Sequence, residues 1–189
     1  MKILAFAASN SRNSINRALV EFAAKRLQSK VSPDAQVKFV DLNDFEMPIY
    51  SKDREADGGI PQPARSFRDR IGAADAVLVS FAEHNGSVTS AWKNIFDWMS
   101  RIDANVWQCK PVVFLAATPG PRAGAGVLGG QEQIAPFFGA DLRAVHGIGK
   151  WAEAWDAEKG TLAQAEDVAA LDEALTSLIA TRDIKGQAA

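Results

Sequence analysis

A chain of 189 residues, 47% hydrophobic and 23% charged, has the ordinary composition of one globular domain with room for a real core. A formal net charge of -2 argues against a nucleic-acid-coating surface and gives no membrane-binding signal. One cysteine excludes an internal disulfide framework, no Cys/His cluster has zinc spacing, and no apolar run is long enough to span a bilayer. The start, MKILAFAAS, suits a first strand better than a signal peptide. The expectation is a single domain over residues 1–189 in the cytoplasm, with no metal, nucleic acid or membrane to bind.

Lys2 to Ala8 reads as a short apolar strand. A loop of hydroxyls and amides follows, from Ser9 to Asn16, and then helical spacing through Ile15, Leu19, Phe22, Ala23 and Leu27. Ser11, Asn13 or Ser14 can cap that helix. Free backbone N–H groups at a helix start favour an anion, and the serines and Arg12 add donors, so a phosphate monoester suits this loop. The bland alternative is a plain capped helix. No G-x-x-x-x-G-K-[ST] and no G-x-G-x-x-G follows the strand, which disfavours a P-loop or a Rossmann dinucleotide site.

Gln36 to Asp41 alternates like a strand. Leu42 to Ile60 reads as a long surface excursion, or less simply as a flap over a site. Pro61 to Ile71 reads as a helix with Arg65, Arg68 and Arg70 on a solvated side. Val77 to Phe81 is apolar but for Ser80, the pattern of a strand buried on both faces. It breaks at Ala82 into Glu83, His84, Asn85, Gly86 and Ser87. Trp92, Ile95, Phe96, Met99 and Ile102 then share one helical stripe. Pro111 to Ala117 is another apolar strand, ending in a loop of Thr118, Pro119, Gly120, Pro121, Arg122, Ala123, Gly124, Ala125 and Gly126. Val127 to Phe138 is an interrupted helix, Leu142 to Val145 a last strand, and Leu162 to Ile179 a closing amphipathic helix.

Strand and helix alternate, which calls for a parallel sheet covered on both faces. Right-handed crossovers make it a doubly wound, three-layer α/β sandwich of flavodoxin-like order 2-1-3-4-5. The polar loops after the first, third and fourth strands then meet in one crevice at the strands' carboxyl ends. One loop suits an anion and two are flat and glycine-bearing. FMN, with a phosphate at one end and a planar ring system at the other, fits that set.

The same loops carry a resemblance to the NAD(P)H-dependent FMN reductase family, whose relatives include quinone, azo-dye and chromate reductases. S-N-S-R-N-S-I-N resembles the family's phosphate loop, G-S-x-R-x-x-S-x-N. A-E-H-N-G-S resembles P-E-Y-N-x-S, followed by Lys93, Asn94, Asp97, Trp98, Ser100 and Arg101 in the pattern K-N-x-x-D-W-x-S-R. T-P-G-P-R-A-G resembles S-P-G-G-x-G-G. The resemblance implies that Ser9, Ser11, Arg12, Ser14, Ile15 and Asn16 cradle the FMN phosphate. It implies that Ala82, Glu83, His84, Asn85, Gly86, Thr118, Pro119, Gly120, Arg122 and Gly124 surround the ring. His84 stands where the family usually has Tyr, Ala82 where it has Pro, and Pro121 and Arg122 where it has small residues.

The implied chemistry is an exchange in which NAD(P)H gives two electrons to the flavin and a small oxidant such as a quinone removes them. No catalytic side chain is required. The resemblance also implies a homodimer or homotetramer, and Trp107, Trp151 and Trp155 suggest an interface. A flavodoxin-type electron carrier and a flavin-less binding or regulatory module of the same fold remain open alternatives. His146 reads as structural and Cys109 as inert.

Overall fold

The computed structural model of the chain describes residues 1–181. Five parallel strands form the sheet in the order β2-β1-β3-β4-β5. They are β1 Lys2–Ala8, β2 Gln36–Val40, β3 Ala76–Phe81, β4 Pro111–Ala117 and β5 Asp141–Ile148. The three inner strands are buried along almost their whole length, because crossover helices cover both faces.

The pleat sends alternate side chains to opposite faces, and the two faces differ. Phe6, Val79, Phe81 and Phe114 join a cluster that contains Phe67, Trp92, Phe96 and Trp107. Its helices are α3 Gln62–Gly72, α4 Ser90–Ile102 and α5 Ala125–Ile134. Ala5, Ala7, Leu78 and Leu115 face the other way, under Leu19, Ala23, Leu171 and Leu175. Those residues come from α1 Ile15–Arg26 and α7 Ala165–Ile179.

Several boundaries differ from the sequence reading, each for a physical reason. The 42–60 excursion contains a 3₁₀ turn, Leu42–Phe45, and a short helix, α2 Lys52–Gly58. It is pinned to α4. The Asn94 carboxamide donates to the Met47 and Pro48 carbonyls at 3.2 Å and accepts from the Tyr50 N–H at 2.9 Å. The Trp98 indole N–H donates to the Pro48 carbonyl at 2.7 Å, and Arg101 pairs with Glu55 at 3.1 Å. The interrupted helix begins at Ala125 and gives way at Ala135 to a 3₁₀ turn, since Pro136 has no N–H to continue it. The last strand runs from Asp141 to Ile148, longer than its apolar run, because β4 offers a ladder along that length.

The closing helix starts at Ala165 rather than Leu162. Thr161–Leu162 (β7) instead pairs antiparallel with Trp155–Asp156 (β6), after the short helix α6 Trp151–Ala154. Trp107 does not lie at a surface: it is 1% exposed and packs against Trp92 with ring centroids 5.7 Å apart. Trp151 and Trp155 are half-buried and stack on each other at 4.8 Å, and Phe22 meets Trp155 edge-on.

Candidate functional site

The loops after β1, β3 and β4 meet at the carboxyl end of the sheet, beside the point where the strand order reverses. In the first loop, the Ser9 hydroxyl accepts from the Ser11 N–H at 3.2 Å. Ser14 is the cap of α1: its backbone is extended and its hydroxyl accepts from the Arg17 N–H at 3.4 Å. Ile15 and Asn16 form the first turn, where N–H groups have no carbonyl of their own helix to meet. The positive end of the α1 dipole adds to them. The nearby Arg17 is committed elsewhere, to Glu21 at 2.9 Å and Asp41 at 3.2 Å. The backbone N–H of Asn43 holds the Asp41 carboxyl below the usual carboxylate range, helped by the Asn43 amide and Arg17 and opposed by burial.

Asn16 faces inward. Its amide donates to the Ala117 carbonyl at 3.0 Å, and its oxygen accepts from the Ala117 N–H and the Ser80 hydroxyl, each at 2.7 Å. The side chain expected to reach a phosphate is therefore occupied with β4 and β3.

The loop after β3 is a tight reversal. His84 N–H donates to Ser87 O at 2.8 Å, and Ser87 N–H returns to His84 O at 3.0 Å. Asn85 and Gly86 between them have φ of 53° and 76°, the double positive φ of a type I′ turn, which explains the Asn-Gly pair. Glu83 points back and accepts from the Val127 N–H at 3.0 Å in the first turn of α5. Gly126 makes that approach possible: a Cβ there would lie 2.5 Å from the Glu83 carboxylate and 2.8 Å from the Gly86 carbonyl. Thr89 is 1% exposed, caps α4 through the Trp92 N–H, and donates to the Ala8 carbonyl at 3.0 Å.

The loop after β4 is stitched to the segment beyond β5. Thr118 N–H donates to Ile148 O at 3.0 Å, Lys150 N–H to Gly120 O at 2.9 Å, and Trp151 N–H to Thr118 O at 3.1 Å. Nothing in the sequence reading pointed to Lys150 or Trp151 here. Their link is made by backbone groups, and backbone groups leave no trace in residue type.

Together these loops enclose a cleft of about 470 Å³, a size typical of small-molecule sites, which span roughly 300–1,000 Å³. Its wall contains every expected residue except Arg12, Asn85, Gly86 and Gly124. Arg12 is exposed and does not line the cleft, and Asn85 and Gly86 form the exposed tip of the hairpin. Gly124 is buried beneath the wall, where a Cβ would come within 2.6 Å of the Ala116 side chain. Asn13, Ala117 and Pro121 line the cleft in addition. A second pocket of about 200 Å³ also touches Ser9, Ser11 and Ser14, with Arg17 and Asp41 in its lining. Among the described residues no group of His, Cys, Asp and Glu is placed to hold a metal ion, and no helix is long and apolar enough to cross a membrane. Cys109 is exposed and accepts from the Asn105 amide at 3.5 Å, away from the cleft.

Known proteins resemble the chain in sequence and in fold. It is 31% identical over 133 residues to an NADPH:quinone oxidoreductase of Arabidopsis thaliana, an overlap of 70% of this chain and 63% of that protein. It is 34% identical over 121 residues to a 2-hydroxy-1,4-benzoquinone reductase of a Burkholderia species, 64% of this chain and 62% of the other. The match thus spans under two thirds of either relative. The flavoenzyme FerB of Paracoccus denitrificans, an NAD(P)H:(acceptor) oxidoreductase, shares the fold with a TM-score of 0.74 and 24% identity, over 94% of both chains. The profile of the family described as NADPH-dependent FMN reductase matches residues 1–147, which covers all three loops and every strand of the main sheet but the end of β5. The chain belongs to the NADPH-dependent FMN reductase family.

Proposed function

We propose that the cleft binds FMN and that the protein is an NAD(P)H-dependent oxidoreductase delivering two electrons to a small oxidant such as a quinone. One observation carries the reading: a helix start rich in donors and the loops after β3 and β4 converge on a single cleft of about 470 Å³ in a chain of this family. The named activities of the plant and Burkholderia relatives support quinones as the oxidant class.

The residues present fit the group. The hydroxyls of Ser9, Ser11 and Ser14, with the N–H groups of Ile15 and Asn16, offer the converging donors a phosphate dianion needs. The loops at 82–84 and 118–122 offer walls for a flat ring, and Arg122 at the rim adds a positive charge. Bound FMN would supply the electron-transfer chemistry. The protein's part is to grip, orient and charge-stabilise, with no side chain required as acid or base. The reading includes cytoplasmic residence and a homodimer or homotetramer. Light scattering on the purified protein tests the assembly, and a monomeric mass removes it.

The decisive experiment is an absorption spectrum with added FMN, followed by anaerobic NADPH or NADH. Bound-flavin bands that bleach on addition of the nicotinamide support the enzyme. Bands that persist until a separate reductase is supplied point to an electron carrier, and no bound flavin sinks the reading. Ser14→Ala should weaken FMN binding by about 1.5–3 kcal/mol, the scale of one charge-assisted contact.

A further inference from the structure

We infer that Asn16, through Ser80 and Ala117, is a positioning residue that fixes the distance between the anion end and the ring end of the cleft. The inference rests on the FMN reading of that cleft.

Asn16 is 2% exposed and Ser80 is 0% exposed, so neither can be explained as a solvated polar group. Ser80 is the one hydroxyl in β3, whose other residues are all apolar. Its hydroxyl donates to the Asn16 oxygen at 2.7 Å. Burying such a pair is tolerated only when every polar atom finds a partner, and here the carboxamide is used on both sides. The oxygen takes two donors, and the amide meets the Ala117 carbonyl.

The place matters more than the bonds. Ala117 is the last residue of β4, and its neighbour β3 has already ended at Phe81. The Thr118 N–H turns to β5, so Ala117 turns its N–H and carbonyl toward the β3 side, where the strand pairing has run out. The Asn16 carboxamide has the donor and acceptor of a peptide group and takes a β3 partner's place. It extends the ladder by one step with a side chain. Asn16 also sits in the first turn of α1, whose N–H groups face the anion end. Ala117 leads directly into Thr118, Pro119 and Gly120 at the ring end. One buried side chain thus joins the two loops, and Ser80 fixes its rotamer from the third strand.

A ligand with two recognition ends gains from such a link. The first end to bind presents the second at a high effective concentration only if the two subsites hold their spacing. The measurable quantity is the ratio of riboflavin to FMN dissociation constants, because riboflavin carries the ring and lacks the phosphate. We expect Asn16→Ala to reduce that ratio about tenfold or more and Ser80→Ala about fivefold, the scale of losing buried hydrogen bonds. Riboflavin affinity should stay nearly constant in both. Ser80→Cys, with a weak donor of similar size, should recover part of the loss.

Flavin fluorescence titrations of the wild type and the three variants, with melting curves beside them, decide the matter. A ratio that falls in both alanine variants supports the link. Lower melting temperatures with an unchanged ratio mean a merely structural role and overturn it. A fall in Asn16→Ala alone means direct contact with the phosphate and also overturns it, since Ser80 is sealed in the sheet. If Asn16→Ala does not fold, the two Ser80 variants test the link by the same ratio. A wild type that binds no FMN removes the functional reading itself, whereas FMN binding with unaltered ratios removes only the link.

Discussion

The two faces of the sheet are built from different materials. On one, Phe6 lies 5.2 Å from both Phe67 and Trp92, and Trp92 reaches Phe81, Phe96 and Trp107, so large rings hold α3 and α4 away from the strands. On the other, Ala5, Ala7 and Ala23 leave little between β1 and α1. The contrast teaches how the cleft is made. A helix seated on small residues comes close enough for a short carboxamide in its first turn to reach β4. The helix on the aromatic face uses a different tie at the same end of the sheet, the Thr89 cap bonded to the Ala8 carbonyl.

The contrast can be broken by substitution. Trp92→Ala should have the largest effect, about 3–5 kcal/mol of stability in urea unfolding, because it removes the ring at the centre of the aromatic face. Ala23→Leu should cost about 1–3 kcal/mol through overpacking and should lift α1 from the sheet. If Leu is accepted at position 23 without cost, the close seat of α1 is wrong. Thr89→Val should cost about 0.5–2 kcal/mol as a lost helix cap. A value near zero would show that α4 is positioned by its rings alone.

The smallest effect is one of pH. Burial pushes the His146 imidazole below its usual value of 6.5, with the Asp167 carboxylate opposing. The unfolded chain then binds a proton that the folded chain resists. Stability is full above the unfolded value and declines as pH falls from there toward the lower folded value. His146→Leu should flatten unfolding free energy against pH in that window. An unchanged slope would mean that other groups set it.

The fold was legible because the inner strands are almost purely apolar and the breaks between them are not. Val77 to Phe81 and Pro111 to Ala117 admit only a doubly covered sheet. The cleft was legible through composition, since serines, glycines and a helix start needed only the strand order to bring them together. What stayed hidden was direction. Asn16 reads the same whether its amide faces a ligand or a strand. The pinning of the 42–60 excursion was hidden too. Asn94, Trp98 and Arg101 stood out as a motif, but their partners are main-chain carbonyls and a glutamate some forty to fifty residues away. The Trp155–Leu162 hairpin leaves no alternating pattern because its strands are only two residues long.

The stacked indoles of Trp151 and Trp155 have an optical consequence. Two rings 4.8 Å apart and inclined by 14° couple as transition dipoles. The Trp151 backbone N–H is bonded to the Thr118 carbonyl, which ties the pair's first residue to one wall of the cleft. A shift of that wall would change the angle between the dipoles, and with it the sign or size of their circular-dichroism couplet. A yellow chromophore in the cleft would drain their emission. The chain therefore carries a native gauge of its own site, readable without any label.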